Sequence, residues 1–232
     1  MSGDSGTDRD PRDGGARPAP SVILVEPQLG ENIGTTARAM ANGGLMDLRL
    51  VRPREGWPNR RARAAASGAD WILDHARLFD STEAAIGDLR KIYATTARPR
   101  DMVKPCSTPG EAVAAMRSRP SGGDDCGVLF GPERTGLTND HLALVSEVIV
   151  IPAHPDFTSL NLAQAVLILS YEWFQSLDPN GTEVPDRFER DSEPATSREI
   201  QGFFAHLEKQ LDVAGFFYPP EKRPAMVRNL RN

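Results

Sequence analysis

The amino-acid sequence predicts an α/β fold in which helices cover both faces of a parallel sheet. Three observations support this prediction. Short apolar runs recur along the chain, a segment with helical spacing follows most of them, and Gly, Pro or capping residues separate the two kinds of segment. Apolar runs that alternate with helices are typical of strands buried on both faces. The 232 residues are also enough to bury a core.

Five or six strands are predicted. The first is SVILV (21–25), a continuous apolar run, and the second, DLRLVRP, stops at a proline. In chain order the predicted strands are residues 21–25, 47–53, 76–80, 91–96, 126–131 and 147–152. The run over 76–80 is the weakest, because it is short and contains two charged residues.

Helices are predicted after these strands. Gly43 and Gly44 end the first one, and Pro109 stands at the first position of another. Capping boxes, in which a Thr or Asp is followed three residues later by Glu, are predicted at Asp80 with Glu83, at Thr108 with Glu111 and at Thr196 with Glu199. The predicted helices span residues 32–42, 60–67, a segment after Asp80, 109–118, 139–145, 159–177, a segment after Thr196, and about 221–232.

Composition divides the chain into four parts. Residues 1–20 are polar and rich in Gly and Pro, which predicts a disordered tail, and residues 21–177 hold the α/β domain. An acidic segment with four Pro or Gly residues, 178–194, reads as a linker. Residues 195–232 form a helical extension too short to be an independent domain. The chain stops within a basic helix, which leaves open whether this is a native end or a truncation.

Charge favours no single class of partner. The net charge is −5, but the tail and the linker account for it, and the remaining acids and bases balance. Three basic clusters stand out: Arg49, Arg52, Arg54, Arg60, Arg61 and Arg63; Arg90, Lys91, Arg98, Arg100 and Lys104; Lys222, Arg223, Arg228 and Arg231. Such clusters are either the footprint of a phosphate backbone or solvated helix faces.

Several classes of protein are disfavoured. No run of about 18 apolar residues could span a membrane, and the first twenty residues have no apolar core of a signal peptide. Walker, GxGxxG and GxSxG motifs are absent, and the four histidines lack metal-ligand spacing, so we expect no metal. The two cysteines form no CxxC, which favours free thiols and a cytoplasmic location.

Three strand-to-helix loops carry the polar residues of a candidate site. They are PQLGENIGTTARAM after the first strand, LFGPERTGLT (129–138) and IPAHPDFTSLNLAQAV (151–166). Ligands of open α/β sheets bind at the carboxyl ends of strands. Gly and Pro in one such loop could serve only as turn residues, but three loops with Arg, Glu, Ser and Asn at their tips favour a binding site.

These loops resemble the three motifs of the SPOUT superfamily of RNA methyltransferases. The segments that match are NIGTTARAM, LFGPERTGL and SLNLAQAV, and ATTARPR (94–100) resembles a fourth element of the TrmJ-type branch. That branch methylates the ribose 2′-hydroxyl of nucleotide 32, a cytidine or uridine, in the anticodon loop of tRNA. The resemblance covers about residues 21–177, and the remainder is similar to the C-terminal extension of the branch.

The resemblance implies a deep trefoil knot, a homodimer whose active site is shared between the two chains, and S-adenosylmethionine held in the knot loops. Carried over to this sequence, the cofactor contacts fall on Thr95, Thr96, Ala97, Gly131, Ile151, Thr158, Ser159 and Leu160. Ile151 and Leu160 would flank an apolar adenine slot, and Gly131 would permit a close backbone approach.

The catalytic residues implied by the resemblance are Arg38, Asn32, Glu133, Ser159 and Asn161. The amide groups at the start of the 32–42 helix would hold an RNA phosphate. Arg38 would orient the reacting hydroxyl and stabilise developing oxyanion charge, because a guanidinium with a pKa above about 12 seldom acts as a base. Glu133 is either a supporting catalytic residue or the structural partner of an arginine.

Three alternatives stay open. A related enzyme could modify another tRNA site or ribosomal RNA with similar motifs. A non-catalytic RNA-binding module would bind the cofactor without transferring a methyl group. A Rossmann-type enzyme of small molecules is disfavoured by the missing glycine fingerprint.

Overall fold

The computed structural model describes residues 19–96, 104–177 and 196–230. These residues fall into two compact units, one up to residue 177 and one from residue 196. The strands of the first unit are β1 (Ser21–Val25), β2 (Leu48–Val51), β3 (Arg77–Phe79), β4 (Lys91–Thr95), β5 (Cys106–Ser107), β6 (Cys126–Phe130) and β7 (Glu147–Ile149). Its helices are α1 (Gly30–Gly43), α2 (Arg60–Ala66), α3 (Asp70–Asp74), α4 (Thr82–Ile86), α5 (Pro109–Arg117), α6 (Asn139–Ala143) and α7 (Leu162–Gln175).

The seven described strands form one sheet in the order β3-β2-β1-β6-β4-β7-β5, and every pairing is parallel. Alternate residues of β1 face opposite sides, so Val22 and Leu24 belong to one hydrophobic cluster and Ile23 and Val25 to the other. The larger cluster lies under α1, α2, α3, α5 and α7, and the smaller lies under α4 and α6. The predicted parallel sheet with two covered faces is confirmed.

Most predicted elements are confirmed, with three corrections. Thr108 with Glu111 and Thr196 with Glu199 form capping boxes, as predicted. The box predicted at Asp80 is wrong, because Ser81 is the N-cap of α4 and its hydroxyl accepts from the Ala84 amide at 3.1 Å. Strand β5 and helix α3 were not predicted. Strand β5 has only two residues, and α3 has no side-chain cap at its start.

The second unit contains α8 (Ser197–Val213), a short 3-10 helix (Pro220–Lys222) and α9 (Arg223–Leu230). Arg223 donates to Asp212 at 2.9 Å and thereby ties α9 to α8. The described residues 196–230 are thus helical and belong to one compact unit, while the predicted domain boundaries stay a prediction. No helix among the described residues is long and apolar enough to cross a membrane. The predicted tail and linker lie almost wholly outside the described residues, and the trefoil knot stays a prediction.

Candidate active site

The three motif loops meet at one edge of the sheet. Because β1, β6, β4 and β7 are consecutive parallel neighbours, their carboxyl ends lie side by side at the same edge. The loop after β1 leads into α1, the loop after β6 carries GPERTGL, and the loop after β7 leads into α7. Residues far apart in the sequence are thereby brought together, as the strand-end rule predicts.

A cleft of about 250 Å³ opens between the loops that follow β4, β6 and β7. Its lining includes seven of the predicted cofactor residues, Thr95, Thr96, Gly131, Ile151, Thr158, Ser159 and Leu160, together with Glu133. Ala97 lies outside the described residues. The cleft combines apolar side chains with hydroxyl groups and loop backbone, which suits a ligand that has both an aromatic and a charged part.

The hydroxyl groups of the cleft differ in how they are engaged. Thr95 donates to the Leu129 carbonyl at 3.2 Å, which joins the end of β4 to β6. Ser159 is exposed, and its hydroxyl has no hydrogen bond to any residue of the described ranges. Ser159 can therefore donate to or accept from a ligand without breaking a bond of the protein.

Glu133 joins the second motif loop to the start of α1. Leu29 stands at the N-cap of α1 and offers no side-chain acceptor. The Glu133 carboxylate, which is distant in sequence, supplies the acceptor. Its Oε2 lies 2.8 Å from the Gln28 amide nitrogen and its Oε1 lies 3.3 Å from the Leu29 amide nitrogen. A third bond, from Asn32 Nδ2, reaches Oε1 at 2.7 Å. A carboxylate at a helix N-terminus also compensates the helix dipole.

Asn32 and Asn161 extend this connection to the third motif. Asn161 Nδ2 donates to Asn32 Oδ1 at 3.0 Å, while Asn161 Oδ1 accepts from the Ala163 amide at 2.9 Å and caps α7. Asn32, Glu133 and Asn161, all predicted as catalytic, therefore form one hydrogen-bonded chain. Of these three only Glu133 lines the cleft, so the geometry gives the chain a connecting role between motif loops.

Two carboxylates lie at the start of α1, where the sequence predicts a phosphate site. The amides of Gln28 and Leu29 already donate to Glu133, and the Gly30 amide donates to Glu55 Oε2 at 3.1 Å. Two carboxylates thus occupy these three donors, and their negative charge would oppose the binding of a phosphate beside them. Among the described residues the partners of Glu133 are amide groups, and no described arginine pairs with it.

Arg38 lies away from the cleft of its own chain. It sits on the solvent-exposed face of α1 with Glu31 and Thr35, and no other described residue forms an ion pair or hydrogen bond with it. An exposed guanidinium without a partner is free to contact another molecule.

The first predicted basic cluster is largely neutralised. Arg49 is buried and bridges Asp47 and Asp88, and its hydrogen bond lowers the pKa of the Asp88 carboxyl. The ion pairs of the same cluster are Arg52 with Glu26, Arg54 with Glu26, Arg61 with Glu31 and Glu55, and Arg63 with Asp70 and Asp74. In the second cluster Lys91 pairs with Glu147, and Lys104 donates to carbonyl groups at the end of α6. The first cluster therefore behaves mainly as a set of structural ion pairs, and Arg98 and Arg100 of the second lie outside the described residues.

Gly131 allows its own loop to close. A Cβ atom at Gly131 would lie 2.4 Å from the Leu137 nitrogen and 2.5 Å from the Gly136 carbonyl carbon. The close approach found at Gly131 is to the backbone of residues 136–137 in the same loop, and its predicted approach to the cofactor stays a prediction.

The sequence did not single out every residue of the cleft. Phe130, Pro132, Gly136, Leu137, Leu162 and Ala165 also line it, and so does Arg134. The sequence places Arg134 among the polar residues of the second motif loop but assigns it no role.

Comparisons with known proteins agree with this geometry. The model of the SpoU rRNA Methylase family matches residues 19–171. A tRNA (cytidine/uridine/adenosine-2′-O-)-methyltransferase TrmJ of Pseudomonas aeruginosa strain UCBPP-PA14 is 38% identical over 215 residues, which are 89% of this chain and 82% of the relative. The crystal structure of TrmJ from Z. mobilis ZM4 has a TM-score of 0.65 and 45% identity, and the match covers 92% of this chain and 88% of that one.

A third similar structure comes from work on the 2-OH methylation of C/U34 on tRNA. It has a TM-score of 0.54 and 29% identity, and the match covers 68% of this chain and 95% of that one. The family model covers well over half of the chain, and the sheet and cleft place the family motifs where a shared ligand would bind. The chain therefore belongs to the SpoU rRNA methylase family.

Proposed function

We propose that the protein methylates the ribose 2′-hydroxyl of a pyrimidine in tRNA in the cytoplasm, at nucleotide 32 of the anticodon loop, with S-adenosylmethionine as methyl donor. The observation that carries this proposal is the cleft itself, which brings Thr95, Gly131, Ile151 and Ser159 together from three separate loops. The family depends on S-adenosylmethionine. A tRNA substrate is favoured because the 38% identical relative is named for tRNA methylation.

The residues of the cleft fit the cofactor. Ile151 and Leu160 supply apolar walls for the adenine ring, and the loop backbone around Gly131 supplies hydrogen-bonding groups for its edge. Ser159 has a hydroxyl with no hydrogen bond to the described protein. S-adenosylmethionine contributes a methyl group on a positively charged sulfur, and the protein has to hold the ribose oxygen in line with it.

Arg38 is the residue that we expect to act on the ribose. Its guanidinium would orient the 2′-hydroxyl and stabilise the negative charge that develops on the oxygen. A guanidinium stays protonated at neutral pH, so the proton has to leave to another acceptor. Asn32, Glu133 and Asn161 support the reaction by fixing α1 against the loops of the cleft, through bonds of 2.7 and 3.0 Å.

A homodimer would bring Arg38 to a cleft. Arg38 does not line the cleft of its own chain, whereas its helix α1 packs beside α7 in the same layer. Helix α7 exposes Leu167, Tyr171 and Phe174, of which Tyr171 is 57% accessible. These residues are spaced three and four apart and form one apolar stripe. The stripe supports an interface that places Arg38 of one protomer beside the cleft of its partner.

The experiment that tests the reaction is nucleoside mass spectrometry of tRNA after incubation with protein and S-adenosylmethionine. Wild-type protein should produce a 2′-O-methylated pyrimidine, and nuclease fragments should place it at position 32. Methylation at position 34 or of ribosomal RNA alone would refute the assigned target. Cofactor binding without methylation of any RNA would instead favour a non-catalytic RNA-binding module.

Removal of Arg38 tests its assigned role. Because an oxyanion-type contact contributes about a hundred- to a thousandfold in rate, Arg38→Ala should lower single-turnover methylation by this factor and leave cofactor affinity unchanged. Arg90→Ala is the matched control, since Arg90 is also exposed and has no ion pair with a described residue. Near-normal turnover of Arg38→Ala would show that Arg38 has no catalytic role.

The shared site can be tested by complementation. Neither Arg38→Ala nor Gly131→Val alone should be active. A mixture that exchanges protomers should recover about a quarter of the wild-type activity, because half of the dimers are mixed and each holds one intact site. Light scattering should give the mass of a dimer, and Tyr171→Asp should reduce it to that of a monomer. No recovery in a mixture of proven heterodimers would contradict a site built from two chains.

A further inference from the structure

We infer that Arg134 binds a backbone phosphate of the substrate tRNA and thereby positions the target ribose at the mouth of the cleft. This inference rests on the proposed function. It assigns an RNA contact to a residue that has no role among those carried over from the resemblance and that lies outside the hydrogen-bonded chain of Asn32, Glu133 and Asn161.

Arg134 differs from the other residues of the cleft in charge and exposure. It follows Glu133 in the loop after β6, lines the cleft and is exposed to solvent. Among the described residues that line the cleft, Arg134 is the one with a cationic side chain. A positive charge at the mouth of a site favours an anionic group of the ligand at that point.

The charge of Arg134 is not neutralised by the described protein. The neighbouring carboxylate of Glu133 is turned to the start of α1, where it accepts bonds of 2.7, 2.8 and 3.3 Å. Arg134 itself forms no ion pair or hydrogen bond with a described residue. This contrasts with Arg61 and Arg63, which are also exposed but pair with carboxylates. In the part of the chain that the structure describes, one unpartnered guanidinium therefore lies beside the cleft.

A phosphodiester group suits the Arg134 guanidinium, both in its hydrogen-bonding geometry and in its expected position. The planar fork of arginine binds two phosphate oxygens at once. A ribose whose 2′-hydroxyl enters the cleft carries a phosphate on each side, so one of them must lie near the mouth. The carboxylate of the cofactor is the other available anion. The exposure of Arg134 favours the phosphate, because tRNA approaches from solvent while the cofactor occupies the interior of the cleft.

The test compares full-length wild type, Arg134→Ala, Arg134→Lys and Arg90→Ala. Arg90 is a matched control, since it is exposed, has no ion pair with a described residue and precedes β4 at the opposite edge of the sheet. Binding of unfractionated bacterial tRNA is measured at a series of KCl concentrations. Calorimetry gives the affinity for S-adenosylmethionine, and steady-state methylation gives kcat and the KM for tRNA.

Arg134→Ala should weaken tRNA binding about three- to tenfold at low salt, as expected for one exposed ionic contact. It should also reduce the slope of log Kd against log salt concentration by about 0.7–0.9, the value for one lost phosphate contact. The KM for tRNA should rise by a larger factor than kcat falls, with cofactor affinity nearly unchanged, and Arg134→Lys should restore part of the slope. Arg90→Ala should behave as wild type.

Two results would overturn the inference while the proposed function stands. Weaker cofactor binding with an unchanged salt slope would assign Arg134 to the cofactor carboxylate. Unchanged binding of both ligands by Arg134→Ala would make Arg134 an ordinary solvated charge. Wild-type protein that neither binds nor methylates tRNA would overturn the proposed function, and the inference with it.

Discussion

Replacement of Gly131 by Ala should disrupt the loop that builds one wall of the cleft. The added Cβ would lie 2.4 Å from the Leu137 nitrogen, where ordinary contacts begin near 3.4 Å. The obstructing atoms are backbone, so relief requires the loop to open by about 1 Å rather than a side chain to rotate. Such overpacking costs about 1–3 kcal/mol of unfolding free energy. The same movement would displace Glu133 from the start of α1, because both residues belong to this loop.

Urea unfolding and calorimetry with S-adenosylmethionine measure the two effects. Gly131→Ala should lose about 1–3 kcal/mol of stability and at least about tenfold in cofactor affinity. Gly87→Ala is the control, since its Cβ would meet its nearest neighbour at 3.4 Å, an ordinary contact. If Gly131→Ala unfolds within about 0.5 kcal/mol of wild type and binds the cofactor equally well, the steric reasoning is refuted.

Two further predictions concern groups outside the cleft. Burial raises the pKa of the Cys126 thiol to about 12, whereas Cys106 is exposed. A thiol reagent at pH 8 should therefore modify one cysteine per native chain and both cysteines in denaturant. Rapid modification of both cysteines in the native protein would contradict the buried position of Cys126. Hydrogen bonds from Arg119, the larger cause, and from Ser121 lower the pKa of the Asp125 carboxyl. The ionised carboxylate therefore stabilises the folded protein fully above about pH 4, and this stabilisation is lost as pH falls through the lowered pKa. The stability difference between wild type and Asp125→Asn in urea unfolding should therefore shrink from pH 7 to pH 3, and an equal difference at both pH values would argue against the ion pair.

Sequence patterns predicted the strands that have apolar runs and the loops at their ends. They missed β5, because its two residues become a strand only by pairing with Val148 and Ile149 of β7. They grouped Arg49 with surface arginines, although alternation along β2 places it inside an ion-pair network. The two hydrogen bonds that join Asn32 with Glu133 and with Asn161 connect residues 101 and 129 positions apart in the sequence. No local pattern reports such distant contacts, so the connecting role of these residues required the fold.

The two outer strands of the described sheet have a consequence for how the protein can associate. Strand β3 has three residues and β5 has two, so each presents few free backbone groups to a strand from another molecule. Short edge strands protect parallel sheets against edge-to-edge growth into fibrils. Self-association of this unit is therefore directed to side chains on its helices, where single substitutions can tune it. Concentrated preparations should accordingly remain free of cross-β aggregates while the domain stays folded.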